Sequence, residues 1–313
     1  MWKLISIGLA LAILAGVVGA AWTPDRPAES LMARWAAAPS KFMDVDGLRV
    51  HVRDEGPPSD PHPIVLIHGT ASSLHTWDAW ADVLAEGHRV VRLDLPGAGL
   101  TGPFSDDDYR IEHFTRFVEE FLDRLGIDHA ILVGNSLGGR IAWETAVSKL
   151  DLADRLVLID SRGYPNEGST TAFERLAGIP LVGPFLIEHV TPRSLIEKSV
   201  TSVVGDPSKV TAEQIDRYYE LLLRAGNRRA LLLQARQDSY SDSDRIKTIA
   251  IPTLILWGAL DQRIPVTDAK RFNTDIVGSE LVVLDGLGHT PQEEDPMGTL
   301  RAFEAFLAGK PFS

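Results

Sequence analysis

The sequence predicts an α/β fold with a mostly parallel eight-stranded sheet, helices on both faces and a helical insertion. Strand-like apolar segments alternate with amphipathic helix-like segments, which is typical of a parallel sheet covered on both sides. The alternation stops between residues 162 and 246, where helix-like segments follow one another without a convincing strand. Near the middle of the chain, Gly134-Asn135-Ser136-Leu137-Gly138 stands between a strand-like run and a helix-like run.

Eight segments have the composition of strands. Asp46-Gly47 lies between the first two, which are predicted to form a hairpin because Asp-Gly is a strong turn signal. The other six are short apolar runs typical of buried strands, within residues 63–68, 90–95, 130–133, 156–159, 251–261 and 280–289. Apolar residues at helical spacing, for example Phe114, Phe117 and Phe121, predict helices between these strands.

These patterns divide the chain into four parts. We expect residues 1–23 to form a signal or membrane anchor and residues 24–41 to form a polar and amphipathic connector. Residues 42–161 and 247–313 would then form the α/β core, and residues 162–246 a helical cap.

The N-terminal segment is apolar and uncharged from Leu4 to Trp22, and Lys3 precedes it. Such a run is long enough to span a bilayer, but the small residues around Gly19 and Ala20 also suit cleavage of an export signal. The sequence leaves both alternatives open. In each case we expect the rest of the chain to be exported, either anchored outside the cytoplasm through residues 4–22 or released into the periplasm or medium.

Composition excludes several classes of protein. The chain has no cysteine, so disulfides, thiolate metal sites and a cysteine nucleophile are absent. A formal net charge of -12 argues against a nucleic-acid partner, because phosphate binding needs clustered Lys and Arg. No metal-ligand spacing, phosphate-binding loop or dinucleotide fingerprint is present, and we expect neither a metal nor a cofactor.

Ser136 is the predicted nucleophile. A G-x-S-x-G sequence between a strand and a helix places its serine on a sharp turn, where the flanking glycines avoid steric clashes. A serine hydroxyl attacks well only when a base accepts its proton, and histidine is suited to that task at neutral pH.

The predicted base is His289, which lies in a glycine-rich turn just past the last strand. A carboxylate must orient this base, and two aspartates stand at strand ends, Asp261 and Asp160. We favour Asp261 because it lies in a Gly-x-x-Asp turn followed by Ile264 and Pro265, although Asp160 stays an alternative. Ser136, Asp261 and His289 then follow the chain order Ser, acid, His.

The sequence also predicts two donors for an oxyanion. One is the backbone N–H of Leu137, directly after the nucleophile, and the other is the N–H of Thr70, in the loop after an earlier strand. For His68 in the same loop we expect a bracing hydrogen bond and no titration.

With these residues the chain resembles the serine-nucleophile members of the α/β-hydrolase superfamily that carry a helical cap. The matching landmarks, in order, are HGTASSLHTW, DLPGAGLTGP, GNSLGG, GALDQRIP and GLGHTPQEEDP, so the resemblance covers about residues 42–309. It implies Ser136 as nucleophile, His289 as base, Asp261 as acid, and Thr70 and Leu137 as oxyanion donors.

The resemblance implies two activities for a small-molecule substrate. GNSLGG is similar to the nucleophile turn of the carbon–carbon hydrolases of aromatic degradation, which typically carry a tryptophan after the histidine and a glycine-rich oxyanion loop. Here Thr290 and the segment 70–73 replace these features, so we expect hydrolysis of an apolar carboxylic ester through an acyl-enzyme. Carbon–carbon bond hydrolysis is the alternative, followed by a non-catalytic binding protein on the same fold.

Overall fold

The computed structural model of the protein describes residues 16, 19, 21–165, 172–237 and 243–312, and a single sheet lies at its centre. Its strands are β1 (Lys41–Val45), β2 (Leu48–Glu55), β3 (Ile64–Ile67), β4 (Val90–Leu93), β5 (Ala130–Asn135), β6 (Ala153–Ile159), β7 (Thr253–Gly258) and β8 (Glu280–Leu284). They are arranged in the order β1-β2-β4-β3-β5-β6-β7-β8. The predicted eight-stranded sheet is confirmed.

Strand direction also follows the prediction. β2 pairs antiparallel with β1 and with β4, whereas all remaining neighbours are parallel. The β1–β2 turn contains Asp46 at φ 51° and Gly47 at φ 76°. Two successive positive φ angles are what a two-residue hairpin turn requires, so the Asp-Gly signal identified this turn correctly.

Helices cover both faces of the sheet. Those of the core are α2 (Asp78–Leu84), α3 (Ile111–Arg124), α4 (Leu137–Ser148), α10 (Val266–Asp275), α11 (Pro291–Glu294) and α12 (Pro296–Leu307). Val65 and Ile67 of β3 face the side covered by α3 and α4, and their neighbours Ile64 and Leu66 face α2 and α12. Because successive strand residues point to opposite faces, both alternating sets of β3 are buried, as expected for a central parallel strand.

The chain between β6 and β7 is helical wherever it is described. It contains α5 (Ala172–Ala177), α6 (Val182–His189), α7 (Arg193–Thr201), α8 (Ala212–Leu222) and α9 (Asn227–Gln237), with 3₁₀ turns at Pro207–Lys209 and Ser243–Thr248. We refer to residues 172–237 as the inserted helices. The cap boundaries at 162 and 246 stay a prediction, although the described part of this stretch forms no strand.

The expected connector contains helix α1 (Ala28–Trp35), which packs against the inserted helices. Leu31 and Trp35 are buried with Leu221 of α8, and the Trp35 indole donates a 2.8 Å hydrogen bond to Glu220. The preceding backbone is also attached there, because the N–H of Thr23 donates to the carbonyl of His189 at 2.8 Å. Residues 24–41 are therefore part of the packed structure.

Most of the predicted signal or anchor at Leu4–Trp22 lies outside the described residues. Within the described ranges, no helix has both the length and the apolar character needed to cross a membrane.

A buried aspartate organises the loop after β4. Asp94 is fully buried, and its carboxylate accepts hydrogen bonds from the N–H groups of Leu74 at 2.7 Å and Leu100 at 2.8 Å, and from His51 Nδ1 at 2.7 Å. Burial alone would raise the pKa of this carboxyl, but the His51 partner, together with the nearby His75 and His68 rings, holds it well below its usual range. Asp94 thus joins three segments that surround the carboxyl ends of β3 and β4.

We expect Asp94→Asn to lower the free energy of unfolding at pH 7 by about 2–4 kcal/mol, because an amide cannot accept at both positions. A lowered carboxyl pKa stabilises the fold above the unfolded pKa of about 3.9, and this contribution is lost as the pH falls toward the folded pKa. Urea unfolding should therefore show that the difference in free energy of unfolding between wild type and variant is smaller at pH 3 than at pH 7. A difference of the same size at both pH values would contradict this account.

Candidate active site

Ser136 occupies a strained turn between β5 and α4. It has φ 55° and ψ -115°, a conformation that L side chains rarely adopt, and it is 5% exposed. A Cβ on Gly134 would lie 2.2 Å from the Gly138 carbonyl oxygen, and one on Gly138 would lie 2.1 Å from that of Ile67. Both flanking glycines are therefore sterically required, as the G-x-S-x-G pattern predicts.

Backbone hydrogen bonds hold this turn over the carboxyl edge of the sheet. The N–H of Ser136 donates to the Ile159 carbonyl at 3.0 Å, and the Ser136 carbonyl accepts from Arg140 at 3.1 Å and from Arg162 at 3.0 Å. Leu137 is the first residue of α4, and the first N–H groups of a helix have no intrahelical acceptor. Its N–H is thus available beside the serine, as the prediction of an oxyanion donor requires.

His289 and Asp261 are in direct contact. The His289 Nδ1 atom lies 2.7 Å from Asp261 Oδ2, and the other carboxylate oxygen accepts from the N–H groups of Arg263 at 2.6 Å and Ile264 at 3.1 Å. The Asp261 side chain is fully buried, whereas that of His289 is 12% exposed. This contact selects the tautomer of the His289 ring that carries its proton on Nδ1.

Asn135 connects the histidine loop to the serine turn. Its Nδ2 donates to the His289 carbonyl at 3.0 Å and to the Ile159 carbonyl at 3.1 Å. Because Asn135 directly precedes Ser136, this amide brings the backbone of the predicted base beside that of the predicted nucleophile. No role is predicted for Asn135 from the sequence, because its place in the variable position of G-x-S-x-G carries no signal.

Glu294 is a second site residue for which the sequence predicts no role. Its carboxylate accepts from the N–H groups of Gly288 at 2.9 Å, Thr290 at 3.3 Å and Gly205 at 2.6 Å. The first two flank His289, so this carboxylate fixes the histidine loop from both sides. Gly205 belongs to the segment between α7 and α8, which Glu294 thereby attaches to the same loop.

Asp160, the alternative acid, lies at the end of β6 and is fully buried. Its Oδ1 accepts from the Gly258 N–H at 3.0 Å. Burial and the neighbouring charge of Asp261 raise the pKa of this carboxyl well above its usual value. Of the two candidate aspartates, Asp261 is the one within hydrogen-bonding distance of the His289 ring.

Asp160, Asp261 and His289 also form a cluster with the donor atoms of a metal site. One ligand atom from each residue lies within 4.8 Å of the other two. A metal here would take one nitrogen of the His289 ring and an oxygen from each carboxylate. The two Asp261 oxygens already accept from the His289 ring and from the N–H groups of Arg263 and Ile264, so the set fits a hydrogen-bonded network better than a metal.

The loop after β3 lies against the serine. A Cβ on Gly69 would lie 3.1 Å from Ser136 Cβ, which brings the backbone of residues 69 and 70 close to the nucleophile turn. His68 braces this loop as expected, because its Nδ1 donates to the Gly69 carbonyl at 2.8 Å and its Nε2 accepts from the Leu95 N–H at 2.9 Å. Burial lowers the pKa of His68, which suits this neutral role. The Thr70 hydroxyl is buried and has no partner among the described residues.

Helix α8 is connected to both loops by a partly buried polar cluster. Arg217 donates to Glu293 Oε2 at 2.6 Å, and the Tyr218 hydroxyl donates to Glu293 Oε1 at 3.0 Å and lies 3.4 Å from the Ser72 hydroxyl. The side chain of Gln214 also donates to Glu293. The inserted helices therefore contact the site through Glu293, which follows His289 by four residues, and through Ser72, which follows Thr70 by two.

Comparison with known proteins agrees with this architecture. The model of the alpha/beta hydrolase fold family matches residues 62–296. The 2-hydroxy-6-oxo-2,4-heptadienoate hydrolase of Pseudomonas putida is 30% identical over 274 residues, covering 84% of this chain and 94% of that protein. The uncharacterized hydrolase YugF of Bacillus subtilis is 27% identical over 266 residues, covering 83% and 95%.

Among solved structures, a bacterial membrane phospholipase A superposes with a TM-score of 0.76 at 26% identity, over 99% of each chain. The family match covers far more than half of the chain, and the sheet order and nucleophile turn described above are those of a hydrolase of this fold. The protein therefore belongs to the α/β-hydrolase family.

Proposed function

We propose that the protein hydrolyses carboxylic esters through an acyl-enzyme, with Ser136 as nucleophile, His289 as base and Asp261 as the residue that orients this base. The observation that carries the proposal is the 2.7 Å contact between His289 Nδ1 and Asp261, on a loop that Asn135 ties to the serine turn. This contact leaves Nε2 of the ring without a proton and therefore able to accept one.

The chemistry follows from this arrangement. His289 accepts the proton of Ser136 as its oxygen attacks the ester carbonyl, and the N–H groups of Leu137 and Thr70 stabilise the oxyanion that forms. His289 then gives the proton to the leaving alcohol. Water, activated by the same ring, attacks the acyl-enzyme, and the carboxylic acid leaves as Ser136 recovers its proton.

Carbon–carbon bond hydrolysis is the second candidate, and it is favoured by relatives such as the Pseudomonas putida hydrolase. We favour an ester because Thr290 follows the histidine and because Ala71, Ser72 and Ser73 replace a glycine-rich oxyanion loop. The likeness to a membrane phospholipase A, which extends over 99% of both chains, adds support for an ester with an apolar acyl chain.

We further propose that residues 4–22 attach the protein to a membrane and that the catalytic body is exported. The uncharged run ends at Trp22, whose ring stacks on His189 of α6 at 4.6 Å and lies 6.0 Å from Phe185. Phe185 and three apolar residues shortly before it in the chain, Ile179, Leu181 and Val182, are between 45% and 87% exposed. Exposed apolar residues in such a patch suit a lipid surface, which would present an apolar ester to the inserted helices.

A substrate panel tests the reaction. Wild-type protein should release acid from p-nitrophenyl esters and from a diacyl phospholipid in mixed micelles much faster than it cleaves a 2-hydroxy-6-oxo-dienoate. Ser136→Ala should abolish turnover and labelling by a fluorophosphonate while preserving the melting temperature. Faster cleavage of the dienoate would favour the carbon–carbon reaction, and undiminished labelling of Ser136→Ala would remove the serine from its proposed role.

The orienting role of Asp261 is tested by Asp261→Asn. An amide at this position cannot hold the His289 tautomer that accepts the serine proton, so kcat should fall by up to about ten-thousandfold with little change in melting temperature. Steady-state kinetics on one p-nitrophenyl ester and thermal unfolding provide the measurement. A near-normal kcat would show that another group orients the ring.

Membrane attachment is tested on the full chain expressed in a bacterial host. We expect the intact mass of the membrane-extracted protein to include residues 4–22, and we expect extraction to require detergent. A soluble mature protein beginning at Ala21 or Trp22 would identify the run as a cleaved signal instead.

A further inference from the structure

Asp160 is a buried carboxyl whose hydrogen bonding is incomplete. It is 0% exposed, and its backbone has φ 42°, a positive value that non-glycine residues rarely adopt. Oδ1 accepts from the N–H of Gly258, but Oδ2 is buried without any hydrogen-bond partner among the described residues. A buried carboxylate oxygen that lacks a donor is unfavourable, whereas the same oxygen carrying a proton becomes a donor that needs an acceptor.

Asp94 provides a comparison, because it is a buried aspartate whose carboxylate is fully hydrogen-bonded. That residue is also fully buried, yet its two carboxylate oxygens accept three hydrogen bonds, from Leu74, Leu100 and His51. Asp160 receives one. Several donors around a buried carboxyl favour its ionised form, as at Asp94, whereas few donors favour the neutral acid, as at Asp160.

The groups that face Asp160 come from three other segments, and the neighbouring charges that act most strongly on it are those of two carboxylates, Asp261 and Glu294. Asp261 follows β7, His289 follows β8, and Glu294 lies in α11, with one ligand atom each of Asp160, Asp261 and His289 within 4.8 Å of one another. The Asp261 carboxylate already accepts from two N–H groups and contacts the imidazole of His289. A second charge beside it would be repelled, so burial, Asp261 and Glu294 all act to raise the pKa of Asp160.

We propose that Asp160 is a neutral carboxylic acid that donates a hydrogen bond to the Asp261 carboxylate and so holds Asp261 in position for His289. It is a positioning residue, because it acts through Asp261. The proposal extends the function proposed above and rests on it.

A neutral acid at this point has a chemical advantage over an ionised one. A second negative charge would stabilise the imidazolium form of His289, and a ring that already carries a proton cannot accept one from Ser136. A neutral donor leaves one negative charge beside the ring while still constraining the Asp261 carboxylate.

Two substitutions separate this role from a structural one. Asparagine mimics a neutral acid, since its amide can donate to Asp261 while its oxygen accepts from Gly258, whereas leucine has the same branching and no polar atom. We expect Asp160→Asn to retain kcat within about threefold of wild type, and Asp160→Leu to lose about ten- to a hundredfold by removal of a bond to a charged group. The acidic limb of the kcat/KM profile, which reports His289, should be unchanged in Asp160→Asn.

An ionised Asp160 would produce a different pattern. Its replacement by asparagine would then remove a charge near the ring and move the acidic limb to lower pH by about one unit or more. A collapse of kcat in Asp160→Asn would likewise overturn the proposal. Activity that requires added Zn²⁺ or Mn²⁺ and is lost in chelator would also overturn it, because the three residues would then be metal ligands.

Infrared spectroscopy measures the protonation state without relying on activity. At pH 7 the full-length wild-type protein should show the carbonyl band of a protonated carboxyl, sensitive to H/D exchange, and Asp160→Asn should lack it. Asp60→Asn is the matched control, since Asp60 has a 9% exposed side chain and accepts from the N–H groups of His62 and Arg89 and from the His88 ring. It should keep the band.

Absence of this band from the wild-type spectrum would overturn the neutral acid even if Ser136→Ala behaves as expected. Presence of the band with full activity in Ser136→Ala would instead keep the neutral acid and reject the proposed function.

Discussion

The hydrogen bond between His289 and Asp261 joins two loops that the sheet alone does not hold together. β7 and β8 are parallel neighbours, so the segments that follow them leave the same edge of the sheet. A 2.7 Å contact between their side chains also requires the two loops to be held at a short, fixed separation. A Cβ on Gly258 would lie 1.9 Å from the Gly288 carbonyl oxygen, and therefore only glycine permits this approach. Glu294 then fixes the residues on both sides of His289.

The serine turn lies at the same edge of the sheet and also depends on a close backbone contact that only glycine permits. Helix α4 begins against the end of β3, where only a glycine at 138 leaves room for the Ile67 carbonyl. The resulting positive φ at Ser136 is a strained conformation, and three backbone hydrogen bonds of that residue hold it. Strand ends thus bring the nucleophile and the base together, and the glycines determine how near their loops can come.

Much of this arrangement could be predicted because it depends on local pattern. Short-range patterns predicted these features correctly. The apolar runs of strand length predicted the sheet, Asp46-Gly47 predicted the hairpin turn, and Gly134 to Gly138 predicted the nucleophile turn. The packed helix in residues 24–41 was not foreseen, since Leu31 and Trp35 are too few to mark a buried face until α8 lies against them. The roles of Asn135 and Asp160 depend on contacts between distant parts of the chain, and the two Asn135 hydrogen bonds span 24 and 154 residues. The role of Glu294 depends on its carboxylate contacting the backbone of Gly288, six residues earlier. Neither kind of contact leaves a pattern in the sequence.

The cluster around Glu293 has a mechanical consequence. Arg217, Tyr218 and Gln214 of α8 all donate to that carboxylate, and Glu293 stands in the short helix that begins two residues after His289. Movement of α8 away from the core would have to break these partly buried hydrogen bonds, one of which is an ion pair, or pull the short helix with it. The position of α8 is therefore mechanically coupled, through Glu293, to the loop that carries His289.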